Sequence, residues 1–213
     1  MALKALEQRS YSCEVRADVN EKGSVIAGRP IVYESKTDLG WFDEVIERGA
    51  LDGADLTDVR FLVNHDLSKI PLARSRRNNG NSTMQLSPDF EGLAIDANLD
   101  TENNSDARSL YSAVKRGDVT GMSFMFSIDD EEWENLESEH PTRRIKKIGS
   151  VVEVSAVTFP AYDSTEINAR SKEALESARL ALEKAKEQRE QSVETDSNEL
   201  ELEKAKFNFR SKL

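Results

Sequence analysis

Three residues of this chain, a serine, a histidine and a glutamate, are of the types that together transfer acyl groups. Ser123 lies in Gly121-Met-Ser-Phe-Met-Phe-Ser-Ile128, where Met122, Phe124, Phe126 and Ile128 alternate with Ser123, Met125 and Ser127. That period of two predicts a strand, which Ser123 begins just past a glycine. A hydroxyl held there can act as a nucleophile if a base lies within hydrogen-bond reach. His65 follows the compact apolar strand Val59-Arg-Phe-Leu-Val63 and is one of only two histidines, the side chain most often used as acid or base. Glu153 is the single charge within Val151-Val-Glu-Val-Ser-Ala-Val-Thr158, and a carboxylate inside a core strand is costly unless it is paired. In a serine hydrolase the imidazole takes the serine proton, while the carboxylate fixes the ring's tautomer and stabilises the imidazolium. Spacing does not bring the three together. An ordinary strand serine and a rim histidine bonded to a backbone carbonyl explain the same residues.

The elements that must position them read as mostly strands. Residues 10–19 alternate Tyr11, Cys13, Val15, Ala17 and Val19 against polar neighbours, predicting one strand and placing Cys13 as a half-buried thiol. A turn at Asn20–Gly23 leads to a second strand, Ser24–Tyr33, which Gly28 and Pro30 mark as bulged or at an edge. Trp41, Phe42, Val45 and Ile46 predict a short helix ending at Gly49. Ile70–Arg74 is extended, and Met84–Leu86 with Gly92–Leu99 forms a hairpin. Ser105–Lys115 reads as a helix, with Ala107, Leu110, Tyr111 and Val114 on one face and Gly117 as its left-handed cap. The acidic run Asp129–Glu139 reads as a loop or short helix outside the sheet. Arg143–Ile148 reads as a basic strand that Gly149 interrupts before the β-branched run at 151–158.

From Ser171 the composition changes. Leu175, Ala178, Leu182 and Ala185 keep helical spacing among charged residues, and a polar break follows at 191–198. So small an apolar stripe cannot build a core, so we expect a domain over 1–170 and a charged helical or disordered tail over 171–213.

The totals exclude several classes. Hydrophobic residues make up 38% and charged ones 32% of 213 residues, a soluble domain diluted by a charged segment. No apolar run is long enough for a membrane span, the N-terminus lacks the apolar core of a signal peptide, and a single cysteine excludes an internal disulfide. Residues 171–213 hold nine Lys and Arg against ten Asp and Glu, so nearly all of the net charge of −11 belongs to the body. An acidic body argues against nucleic-acid binding, which relies on Lys and Arg. A metal-dependent hydrolase built on His65, Asp66 and His140 lacks any paired ligand spacing; no cofactor is expected.

Taken together, Asn64-His-Asp66 after an apolar strand, Gly121-Met-Ser-Phe-Met-Phe126 and Glu153-Val-Ser-Ala-Val-Thr-Phe-Pro-Ala-Tyr162 resemble three signature blocks of the prohead proteases of HK97-like tailed phages. Phe42-Asp-Glu-Val-Ile-Glu-Arg-Gly-Ala50 is similar to a fourth, and all four stand in the family's order. The resemblance implies a β-rich α+β fold related to herpesvirus assemblins, a mainly antiparallel β-barrel with surrounding helices. It also implies Ser123 as nucleophile and His65 as base. For the third residue Glu153, inside a block, is preferred to His140, although assemblins use a second histidine. The implied function is a serine endopeptidase acting in the host cytoplasm inside the assembling prohead. It would remove the scaffolding segment of the major capsid protein and cleave itself, the tail being its nearest target. The alternative is a non-catalytic assembly protein with a relic fold.

Overall fold

The computed structural model describes residues 6–12, 15–21, 23–158 and 179–191. They fall in two units, within Met1–Ala174 and Leu175–Leu213. The expectations for Cys13 and for the tail at 171–178 and beyond residue 191 lie outside the described residues.

The first unit carries eleven described strands and one helix in two sheets. β1 (Leu6–Ser12), β10 (Gly121–Glu134), β11 (Thr142–Val157), β5 (Asp43–Ile46) and β4 (Lys36–Asp38) follow one another across the larger sheet, and β6 (Asp58–Val63) with β7 (Ala73–Arg76) branches from β11. The smaller sheet runs β2 (Arg16–Asn20), β3 (Gly23–Val32), β9 (Gly92–Leu99), β8 (Met84–Pro88). Its β3–β9 ladder slips between Gly28 and Ile31, the bulge that Gly28 and Pro30 predict. Gly92 faces that slip, and a Cβ there would stand 2.0 Å from the Ile31 carbonyl oxygen.

The strand-rich expectation holds, but the barrel does not: among the described residues the strands form two sheets that do not close on themselves. Nor is the larger sheet wholly antiparallel. One flank of β11 pairs along its length with β10; the other pairs in parallel, its first residues with β5 and Glu153–Ala156 with β6. Branching at β11 splits the ladder where a barrel would continue it.

Four local expectations also give way. The described residues of 10–19 belong to two strands in different sheets, β1 and β2, rather than one. In place of the short helix, Asp43–Ile46 is a strand that Trp41 and Phe42 lead into, because Glu44 and Val45 pair with β4 on one side and β11 on the other. The acidic run stays in β10 as far as Glu134, because basic residues of β11 stand across from it: Glu132 meets Lys146 at 2.6 Å and Glu134 meets Arg144 at 2.5 Å. Gly149 does not interrupt β11. A Cβ there would lie 2.0 Å from an Asp129 carboxylate oxygen, so its lack of a side chain leaves room for the Asp129 side chain of β10.

α1 (Ser105–Arg116) forms as its spacing predicts and buries Ala107, Leu110 and Val114. The Asn104 side chain accepts from the Asp106 and Ala107 amides, a cap worth about 1 kcal/mol, and Gly117 ends the helix at φ 78°. Between the layers Ile26, Ile31, Phe61, Leu93, Ile95, Leu110, Met122, Phe124, Phe126 and Val154 form one buried cluster, each large side chain contributing about 1.5–3 kcal/mol. In the second unit residues 179–191 are helical. No described helix is long and apolar enough to cross a membrane.

Candidate active site

β10 and β11 place the serine and the glutamate. Ser123 stands directly opposite Ser155, and Met125 opposite Glu153. Directly opposed residues of an antiparallel pair share a face, and alternate residues of one strand do too. Ser123, Ser155 and Glu153 therefore project to the same side of the sheet. The ladder slips just beyond, between Met125 and Phe126, and such bulges re-aim the neighbouring side chains.

His65 comes from the other flank of β11. β6 ends at Val63 opposite Ala156, and the chain then turns through two consecutive left-handed residues, Asn64 (φ 52°) and His65 (φ 58°). Left-handed backbone at a non-glycine residue is uncommon and costs energy that the surroundings must supply. Here the Asn64 amide donates to the Ala156 carbonyl (2.9 Å), Asn64 Oδ1 accepts from the Thr158 amide and hydroxyl, and the His65 amide donates to Ser155 Oγ (3.0 Å). The turn delivers His65 Nδ1 into a short hydrogen bond with Glu153 Oε1. Ser155 Oγ donates to the other oxygen, Glu153 Oε2, at 2.6 Å.

Glu153 is fully buried and the His65 side chain is 11% exposed. A carboxylate only accepts, so its bond makes Nδ1 the donor, and in the neutral ring the lone pair is then on Nε2. Among the described residues Nε2 is the buried side-chain polar atom that has no hydrogen-bond partner.

Ser123 is also fully buried, but its hydroxyl is engaged elsewhere. It donates to the Arg9 carbonyl (2.7 Å) and accepts from Ser10 Oγ (2.8 Å), both on β1, where Ser10 stands directly opposite it. No hydrogen bond joins Ser123 to His65 among the described residues.

An ionic network on the opposite face of β1 holds that strand. Arg9 donates to Glu44 through Nε (2.5 Å) and Nη2 (2.8 Å), and to Glu7 through Nη2 (2.5 Å). Arg143 grips Glu7 with both terminal nitrogens at 2.8 Å, reaches Glu44 at 3.2 Å and binds Glu131 through Nε at 2.9 Å. Arg9 also lies 5.9 Å from the Phe126 ring, and Arg143 5.7 Å from Trp133. Burial pushes the Glu7 carboxyl up, but the Arg143 hydrogen bond and the charges of Arg9 and Arg143 outweigh it and hold Glu7 below its ordinary value. Burial would lower Arg143, yet Glu7, Glu44 and Glu131 raise it.

His140 is not part of this arrangement. It precedes the first residue of β11, whereas Glu153 lies near the strand's other end; its Nε2 meets Asp43 at 3.1 Å and Asp38 at 3.7 Å. The set His65, Asp66, His140 is thus not brought together. Asp38, Asp43 and His140 do cluster, and the Lys36 ammonium takes one Asp43 oxygen at 2.7 Å. Burial raises the Asp43 carboxyl, but Lys36 and His140 draw it below its usual range.

The sequence reading missed Ser155 and β1. Ser155 carries a signal, two residues from Glu153 on a strand of period two. The role of Ser10 and of the Arg9 carbonyl carries none, because the contact spans more than a hundred residues.

A histidine bound to a buried carboxylate, with its far nitrogen vacant and a serine on the same sheet face, has the parts of a serine hydrolase. The chain belongs to the caudovirus prohead serine proteases, whose family model matches residues 11–179. Over 160 residues it is 28% identical to the prohead protease of Enterobacteria phage HK97, a match covering 73% of this chain and 64% of that protein. Among solved structures, the capsid assembly protease of bacteriophage T4 aligns with a TM-score of 0.37 and 12% identity, covering 73% of this chain and 97% of that one.

Proposed function

We propose that the chain is a serine endopeptidase of prohead maturation, with Ser123 as nucleophile, His65 as general base and Glu153 orienting the ring. It removes the scaffolding segment of the major capsid protein inside the assembling prohead, in the host cell, and cleaves itself, first within 171–213. The observation that carries the reading is the buried His65–Glu153 pair, its Nε2 unpartnered, on the face that bears Ser123. Family membership supports the same chemistry.

Ser123 Oγ attacks the scissile carbonyl carbon while His65 Nε2 takes its proton, and Glu153 stabilises the imidazolium through Nδ1–H. His65 then protonates the leaving amine, and water releases the acyl group by the reverse proton path. The hydroxyl must first turn from the Arg9 carbonyl towards Nε2, and a substrate must take the place of β1 beside β10. Adding a strand to an exposed edge is a common way to hold an extended peptide.

The covered Ser123 also fits the non-catalytic relic, and one experiment separates the two. The full chain and Ser123→Ala are each co-expressed with the major capsid protein, and both proteins are weighed by mass spectrometry. Capsid-protein and tail cleavage by the first alone supports the peptidase. Equal truncation with both assigns the cuts to host enzymes and leaves the relic.

A further inference from the structure

A pocket of about 430 Å³ opens beside the His65 turn, between α1 and the β6–β7 connection. Leu62, Val63, Leu72, Leu110, Ala113 and Val119 supply its apolar wall. Its volume is in the range of small-molecule sites and leaves ample room for one side chain. Three features tie it to the candidate chemistry. Asn64 and Asp66, the chain neighbours of His65 on either side, both line it, as does Thr158, which the Asn64 side chain holds. Val119 lies four residues before Ser123, at most about 13 Å of extended chain. Ile70, which also lines it, is 83% exposed. A large aliphatic side chain held in water beside an apolar hollow gains by being covered.

The charges choose among occupants. Asp66 and Asp106 line the pocket with a single cation, Lys69, 4.0 Å from Asp106. An acidic side chain entering there would meet two carboxylates against one ammonium and lose its hydration to an apolar wall. An aliphatic or aromatic side chain would bury its surface at no such cost.

We infer that this pocket receives one large apolar side chain of the peptide to be cut, within about four residues of the scissile bond, and turns acidic side chains away. The inference rests on the peptidase reading and adds a substrate preference to it. Val119 and Thr158 set how far from the cut the side chain sits, α1 forms the wall that limits its size, and the exposed Ile70 packs against it.

Two measurements test this. In the first, the full chain digests a mixed peptide library, and cleaved sequences are compared with those of Ile70→Glu and Ala113→Phe. The expected profile has leucine, isoleucine, methionine or phenylalanine enriched at one fixed position near the cut, and aspartate and glutamate depleted. Ile70→Glu, at an exposed site, lowers kcat/KM for those peptides about tenfold or more, and Ala113→Phe shifts the same position to small residues. A flat profile, or one that neither substitution changes, overturns the pocket while leaving the peptidase reading intact; library cleavage by Ser123→Ala would overturn that reading instead. The second needs no turnover. Ser123→Ala is titrated, with amide shifts followed by NMR, with a hexapeptide carrying a central leucine and with its aspartate counterpart. Shifts at Asp66, Ile70 and Val119 with the leucine peptide alone support the inference. Equal responses to both peptides, or none at these amides with either, overturn it.

Discussion

The two faces of β1 and β10 each carry a buried polar group, and the two are built to opposite ends. On one face Arg9, Arg143, Glu7, Glu44 and Glu131 hold one another through repeated charge-assisted bonds. On the other, Ser155 and His65 satisfy both oxygens of Glu153, and His65 Nε2 is left without a partner. Buried polar groups are nearly always paired, so a vacancy needs a reason. The closed network fixes where β1 lies. The open one supplies a lone pair that can accept a proton.

The largest expected break in this contrast comes from the open side. Ser123→Ala and His65→Ala should each lower capsid-protein cleavage by about 10⁴-fold or more, and the double substitution should cost little beyond either one. Circular dichroism should show all three folded. Full cleavage by a folded Ser123→Ala protein would remove the serine from the mechanism.

Glu153→Gln should come next, with a rate loss approaching about 10⁴-fold, since a misoriented imidazole exposes the wrong tautomer. His140→Ala, at the other end of β11, should leave the rate unchanged. The reverse result in a cleavage time course would transfer the orienting role to His140.

On the closed side, Glu44→Ala leaves two buried guanidinium groups short of an anion, and stability should fall by about 3–5 kcal/mol, read as a lower midpoint in urea. The same change loosens β1, so an active-site fluorophosphonate probe should label Ser123 faster than in the unaltered chain. Slower or equal labelling would mean that β1 does not govern access.

The smallest effect is that of pH. Glu7 has its folded pKa below the ordinary 4.5, so its pairing contributes fully above about 4.5 and is lost as pH falls through the folded value. Hydrogen exchange of the β1 amides, corrected for intrinsic rates, should quicken below pH 4.5 and stay flat from 5 to 7. Glu7→Gln should abolish that step.

Much of the fold was legible because it repeats locally. α1 announced itself by apolar residues every three or four positions and by Gly117, the β8–β9 hairpin by alternation, and the Val151–Val157 run by its β-branched, nearly uncharged composition. Ser123, His65 and Glu153 stood out singly, each as a reactive group in an apolar strand or at its end. What could not be read were the pairings. Asp129–Glu134 resembles a loop until Arg143, Arg144 and Lys146 lie across from it, and residues 41–46 have a helical apolar spacing that the pairing of Asp43–Ile46 with β4 and β11 overrides.

By itself, then, the amino-acid order determined which segments could be helix or strand, where the charge lies, and which side chains could act as nucleophile, base and orienter. Tertiary structure alone decided that β1 leaves β2 for the other sheet, that branching at β11 replaces a closed barrel, and that Ser10 and the Arg9 carbonyl cover Ser123. Helical and alternating patterns come from backbone geometry within a few residues, so they are written locally. A strand's partner is chosen by whichever distant surface pairs its backbone and charges best, and no local period records that choice.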